Sequence, residues 1–259
     1  MKLKRLLISL FIFLLPINTI IAYSTEVVVG GDNIGIEVKT DGVLVIGLYK
    51  VNDEFIAKDS NISTGDYIIK VNQNDIKTIS DFSSEIYNDD DKEYLDVTYK
   101  RDDKTYDTTL KLGLENGEYK TGLYVKDTVN GIGTLTLIDP ENNRFLALGH
   151  QILDSNSNKL LAINKGNIYN SYITGIKKST DGVPGEKEAV SNINEKYGVI
   201  DSNTDKGIFG TYEEDYSDKL IMKIGKKDEV ELGEATIRTV VNGNEVNEYK
   251  INIEKIDKK

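Results

Sequence analysis

The chain has 259 residues, 39% of them apolar and 29% charged, a globular composition long enough for one large or two modest domains. It has no cysteine, one histidine and a formal net charge of −11. Disulfides, thiol chemistry and Cys-based metal sites are thereby excluded, one imidazole with no second His or Cys is a poor case for a metal centre, and the acidic surface argues against nucleic acid and anionic lipid as partners.

Met1–Arg5 is basic and Leu6–Ala22 is apolar apart from Asn18 and Thr19. Residues 1–22 therefore read as a signal peptide or an uncleaved membrane anchor, with the rest of the chain exported. In residues 26–112, Glu26–Val29 and Gly35–Val38 flank the turn Gly30-Gly31-Asp32-Asn33. Val43–Tyr49 is a buried strand, and Ile68, Ile69 and Val71 form another after the turn at Thr64-Gly65-Asp66. Thr78 and Asp81 have capping-box spacing, and Phe82 and Ile86 lie four apart on one face of a short helix. Leu95, Val97 and Tyr99 alternate with polar residues, Asp102-Asp103 turns the chain, and Tyr106–Leu112 closes a hairpin.

Residues 113–120 read as a linker. From Thr121 to Lys259 the pattern is hairpins without helices. Gly131–Ile138 and Phe145–Leu148 flank the turn-rich Asp139–Asn143, and Ala235–Val240 and Glu245–Ile253 flank Asn242-Gly243. This half is a β barrel or sandwich, and its last strand, running to Ile256, predicts an open edge.

His150 follows Ala147-Leu148-Gly149 at the end of a predicted strand. On residues alone, a lone histidine is more often structural or merely exposed than catalytic. As a base it would need a nucleophile, and Ser155, Ser157, Ser171, Ser179, Ser191, Ser202 and Ser217 all lack flanking glycines. Asp154, Asp181 and Asp201 read as loop or surface acids.

Two resemblances sharpen this. Ile34-Gly35-Ile36, then Ile62–Asp66 and Tyr67–Asn72, resemble a bacterial PDZ domain. That implies a carboxylate-binding loop at Ile34, Gly35 and Ile36, with Phe82 and Ile86 on the helix beside a groove that binds peptides by β-augmentation. Gly131–Thr136, Asp139-Pro140 and Ala147–His150, with Lys120–Tyr124 and Val183–Glu186, resemble the stage IV sporulation protein B (SpoIVB) peptidase family.

The family resemblance implies a mainly β chain: a PDZ-like module, then a trypsin-like (chymotrypsin-fold) β-barrel domain, incomplete at its C-terminal end. It implies His150 as general base, no cofactor, and a serine and an orienting aspartate that this sequence does not contain. The implied function is a sporulation signal. Such a protein is exported from the forespore into the space between the two membranes of the developing spore. There it cleaves a regulator of a membrane-embedded protease that processes a late sigma factor precursor, and its PDZ domain takes target or self peptides. Without its serine the chain is expected to be inactive alone. The alternative is a non-catalytic PDZ module, a peptide-binding regulatory pseudo-peptidase.

Overall fold

The computed structural model describes residues 24–87 and 93–257; the expected leader lies outside the described residues. The first half comprises β1 (Glu26–Val29), β2 (Asn33–Leu48), β3 (Tyr67–Val71), β4 (Asn74–Asp75), α1 (Ile79–Tyr87), β5 (Tyr94–Arg101) and β6 (Lys104–Lys111). A hairpin of β7 (Gly113–Glu115) and β8 (Glu118–Lys120) follows. The second half comprises β9 (Leu123–Asp139), β10 (Arg144–Ala147), β11 (Ile163–Lys177), β12 (Glu186–Thr204), β13 (Gly207–Tyr212), β14 (Ile221–Lys223), β15 (Gly233–Thr239) and β16 (Asn247–Ile253).

Local chemistry accounts for many of these boundaries. Thr78 Oγ1 accepts the Asp81 N–H at 3.1 Å, and the Asp81 carboxylate accepts the Thr78 N–H at 2.9 Å, so a reciprocal cap starts α1. Asp102 and Asp103 both adopt positive φ and turn β5 into β6. Residues 113–120, expected as a linker, form a short hairpin. Asn116 and Gly117, at φ 55° and 82°, build an Asn-Gly turn that pairs β7 with β8.

Two hydrophobic cores result. The first joins Val43, Val45, Ile68, Phe82, Leu95 and Leu110 under α1. In the second, antiparallel pairing runs β9–β10–β13–β12–β11–β2, and β2 pairs again with β9. Six strands thus close into a ring around Ile34, Leu135, Phe145, Ile168, Ile200 and Ile208. The ring closes where β10 meets β9, over Leu135–Asp139, and there no edge is left open. The β15–β16 hairpin pairs with itself and touches the ring through the bridge between Ile173 and Gly243.

The cores do not divide where the sequence pattern divides. Val28, Ile34, Ile36 and Val38, read as part of the first module, pack in the second core, whereas Leu123 packs in the first. The reason is β2. Instead of the separate strands Gly35–Val38 and Val43–Tyr49 it is one 16-residue strand, with a register shift between Lys39 and Leu44 where Thr40 Oγ1 donates to the carbonyls of Gly42 and Asp127. Val43 and Val45 face the first core and Leu44 the second, all fully buried. Alternation along one strand makes it the shared wall of both cores.

Candidate active site around His150

His150 owes its position to the end of β10. Phe145 and Ala147 are buried in the barrel, and the next two residues, Leu148 and Gly149, both take left-handed φ, 73° and 75°. For leucine that conformation costs roughly 1–2 kcal/mol, so its surroundings must hold it. The Leu148 N–H donates to the Thr134 carbonyl at 3.1 Å. Its side chain lies over Gly133, where an added Cβ would come within 2.3 Å of Leu148 Cδ2. The second glycine of Gly131-Ile-Gly133 is therefore the space that Leu148 needs. Backbone strain of this kind clusters at functional sites.

The imidazole is exposed, and its Nδ1 lies 2.9 Å from the Gln151 carbonyl oxygen. A carbonyl can only accept, so the proton of this hydrogen bond sits on Nδ1, and in the neutral ring the Nε2 lone pair is free. That is the tautomer a general base requires. In a serine-histidine-aspartate triad a carboxylate fixes it; here a backbone oxygen does. Among the described residues no serine hydroxyl or carboxylate hydrogen-bonds the ring.

The loop after His150 is anchored from both sides. Asn203 Oδ1 accepts the Ile152 N–H at 2.8 Å, and its Nδ2 donates to the carbonyls of Ile152 and Leu161 at 2.9 and 3.0 Å. Asp154, expected to be a surface or loop acid, is a buried loop acid. Its Oδ1 accepts the N–H groups of Asn156 and Ser157 and the Ser157 hydroxyl, and its Oδ2 lies 2.9 Å from Lys126 Nζ on β9. Burial works to raise its pKa, but the Lys126 ammonium and the Ser157 hydrogen bonds outweigh it and hold the carboxyl below its ordinary value. Asp201 pairs with Arg144, and Asp181 is exposed beside the Thr180–Val183 bridge. Ser157, Ser202 and Ser217 donate to Asp154, Asp201 and Asp215, and Ser171 accepts from Asn33.

Beside His150 lies a cavity of about 390 Å³ lined by Ile36, Val38, Val129, Gly131, Ile132 and Leu148. It is apolar, open to solvent, and bounded by both β2 and β9. Among the described residues no cluster of acidic, histidine or cysteine side chains could hold a metal ion.

The peptide-binding residues read from the sequence do not form a groove together. Ile34, Gly35 and Ile36 are not a loop. They lie inside β2, paired on one edge with Gly133, Ile132 and Gly131 and on the other with Asn170, Tyr169 and Ile168. Ile34 and Ile36 are buried, and both backbone edges are occupied by strands. Glycine at 35 serves strand packing, since a Cβ there would lie 2.0 Å from Ser191 Oγ. Phe82 and Ile86 are buried in the first core with Leu123. The sequence reading missed Asn203 and the Lys126–Asp154 pair, because nothing local marks a side chain whose partner lies 28 or 51 residues away.

A family model described as SpoIVB peptidase S55 matches residues 117–259, and a PDZ domain model matches residues 33–112. Among solved structures the chain is similar to the PDZ domain of the SdrC-like protein from Listeria monocytogenes. The two are 27% identical over 34% of this chain and 90% of that one, with a TM-score of 0.29. No curated protein matches the chain.

Proposed function

The chain belongs to the SpoIVB peptidase S55 family and carries a PDZ domain, and from that premise we propose that it acts in a sporulation-signalling serine endopeptidase with His150 as general base. The observation that carries the reading is the imidazole: held by the Gln151 carbonyl with Nε2 free, it projects from a strained strand end beside an apolar cavity. A neutral imidazole takes a proton from an attacking hydroxyl near neutral pH and returns it to the leaving amine. The nucleophile is not Ser157, Ser171, Ser202 or Ser217, whose hydroxyls are engaged elsewhere. In this reading the protein is exported to the space between the membranes of the developing spore. It is held there by its N-terminal segment and cleaves a regulator of a membrane-embedded protease.

The test is labelling of the natural gene product, isolated from sporulating cells, with a fluorophosphonate probe. The reading expects labelling that His150→Ala abolishes while the protein stays folded. Labelling that survives His150→Ala would remove the base assignment.

The PDZ domain supports a second reading, a peptide-binding regulator that needs no catalysis. In that case His150→Ala leaves its effect on sporulation intact.

A further inference from the structure

The edge of β9 that faces away from β2 has a partner only over its last third. β10 pairs with Leu135–Asp139, and the Leu148 N–H reaches the Thr134 carbonyl. N-terminal to that point the described residues contribute no strand to this edge. Along a strand, successive residues direct their backbone groups to opposite edges. Thr134 bonds outward to Leu148 and Leu135 bonds inward to Asp32, and the register against β2 is unbroken from Thr128 to Thr134. The N–H and C=O groups of Thr128, Asn130 and Ile132 therefore face outward, with no hydrogen-bond partner among the described residues.

Buried backbone groups are almost always paired, and an exposed row of them is a template for another strand. This row is short, is not blunted by proline, and is exposed at Asn130 and Gly131. Above it lies the cavity that His150 also lines. Its floor is Gly131, at which an added Cβ would meet nothing within 4 Å. Gly133 differs, because Leu148 fills the space above it. One glycine of the Gly-Ile-Gly motif is thus used up by packing, and the other leaves room for a side chain that the protein does not supply.

We propose that the outward edge of β9 at Thr128–Ile132 is the substrate-binding strand, which takes an extended polypeptide by β-augmentation with one aliphatic side chain seated over Gly131, next to His150. This rests on the peptidase reading and names the substrate class: an unfolded or extended segment with an aliphatic residue. A row of backbone donors and acceptors is matched by another backbone, and a cavity lined by Ile36, Val38, Val129 and Ile132 is matched by an apolar side chain. The PDZ strand at Ile34–Ile36, enclosed on both edges, leaves this edge to receive a peptide.

The probe is acetyl-Lys-Thr-Leu-Thr-Lys-amide, titrated into the full chain and followed by backbone amide and imidazole NMR shifts. The expected result is saturable shifts at Asn130, Ile132 and His150, lost when the peptide backbone is N-methylated. Gly131→Val, whose Cβ meets no neighbour within 4 Å, intrudes on the cavity and weakens binding about ten- to a hundredfold, the scale of burying one aliphatic side chain. Asn130→Pro removes an outward N–H from an edge strand and should also abolish binding. Wild-type affinity in a folded Gly131→Val protein, or shifts confined to α1 near Phe82 and Ile86, would overturn the proposal. Peptide binding is read by NMR on the wild-type protein and the base assignment by fluorophosphonate labelling of His150→Ala, so the docking edge and the base assignment fail separately.

Discussion

Removing the Asp154 carboxylate should detach the His150 loop, and two substitutions separate the two things that carboxylate does. Asp154→Asn keeps Oδ1 as an acceptor for Asn156, Ser157 and the Ser157 hydroxyl, but loses the charge facing Lys126. Asp154→Ala loses both. Breaking a buried pair by removing one partner costs about 3–5 kcal/mol. The Lys126 side chain is 22% exposed and can turn towards water, so losing the charge alone costs less, and losing the charge together with the three Oδ1 hydrogen bonds costs about 3 kcal/mol for alanine. Asparagine should cost about 1 kcal/mol, because the hydrogen bonds that order the loop remain. The pH dependence follows from the depressed pKa. A carboxyl that titrates lower in the folded than in the unfolded state contributes stability that is fully present above the unfolded value, near 3.9, and is lost as pH falls through the folded value. The wild-type advantage over Asp154→Ala should therefore be constant from pH 7 to about 5 and shrink below 4. Urea unfolding across pH, with hydrogen exchange at Ile152 and Leu161, measures both. Alanine and asparagine variants of equal stability, or an advantage that grows on acidification, would refute the reasoning.

Gly35→Ala places a Cβ 2.0 Å from Ser191 Oγ and should destabilise by about 1–3 kcal/mol in thermal unfolding, with Ser191→Gly restoring most of it. Asn203→Ala removes three hydrogen bonds to the His150 loop and should accelerate amide exchange at Ile152 more than in β12, with a global cost of about 1–2 kcal/mol. Phe145→Ala empties a fully buried site in the ring and should cost about 3–5 kcal/mol in urea unfolding. Because β2 walls both cores, that loss should appear equally in the circular dichroism of the barrel and in the tyrosine signal from Tyr99. Two separated transitions would contradict the shared wall.

What the sequence makes legible here is local. The turn at Asp139–Asn143, the Asp102-Asp103 turn and the cap at Thr78 follow from short-range chemistry, and the structure has β9–β10, β5–β6 and α1 there. His150 was singled out by its place after Ala147–Gly149, but the free Nε2 was not readable, since it depends on which carbonyl the ring meets. The long hairpin β11–β12 escaped because polar residues such as Asn167, Asn170 and Ser171 interrupt the apolar alternation, and Asn170 and Ser171 are buried with side-chain partners. The continuity of β2 escaped for another reason. Thr40-Asp41-Gly42 has turn chemistry, and only a long-range partner, the Asp127 carbonyl, decides that the strand runs through it.

The span of β2 also sets the order in which the protein can be made. Its partners in the ring, β9 from Leu123 and β11 from Ile163, are synthesised long after Leu48 has left the ribosome. At cellular elongation speeds the gap is on the order of ten seconds. For that time a 16-residue strand carrying Ile34, Ile36, Val43, Leu44 and Val45 waits with its ring edges bare. Until those later strands arrive, the N-terminal half cannot close the ring core that β2 walls.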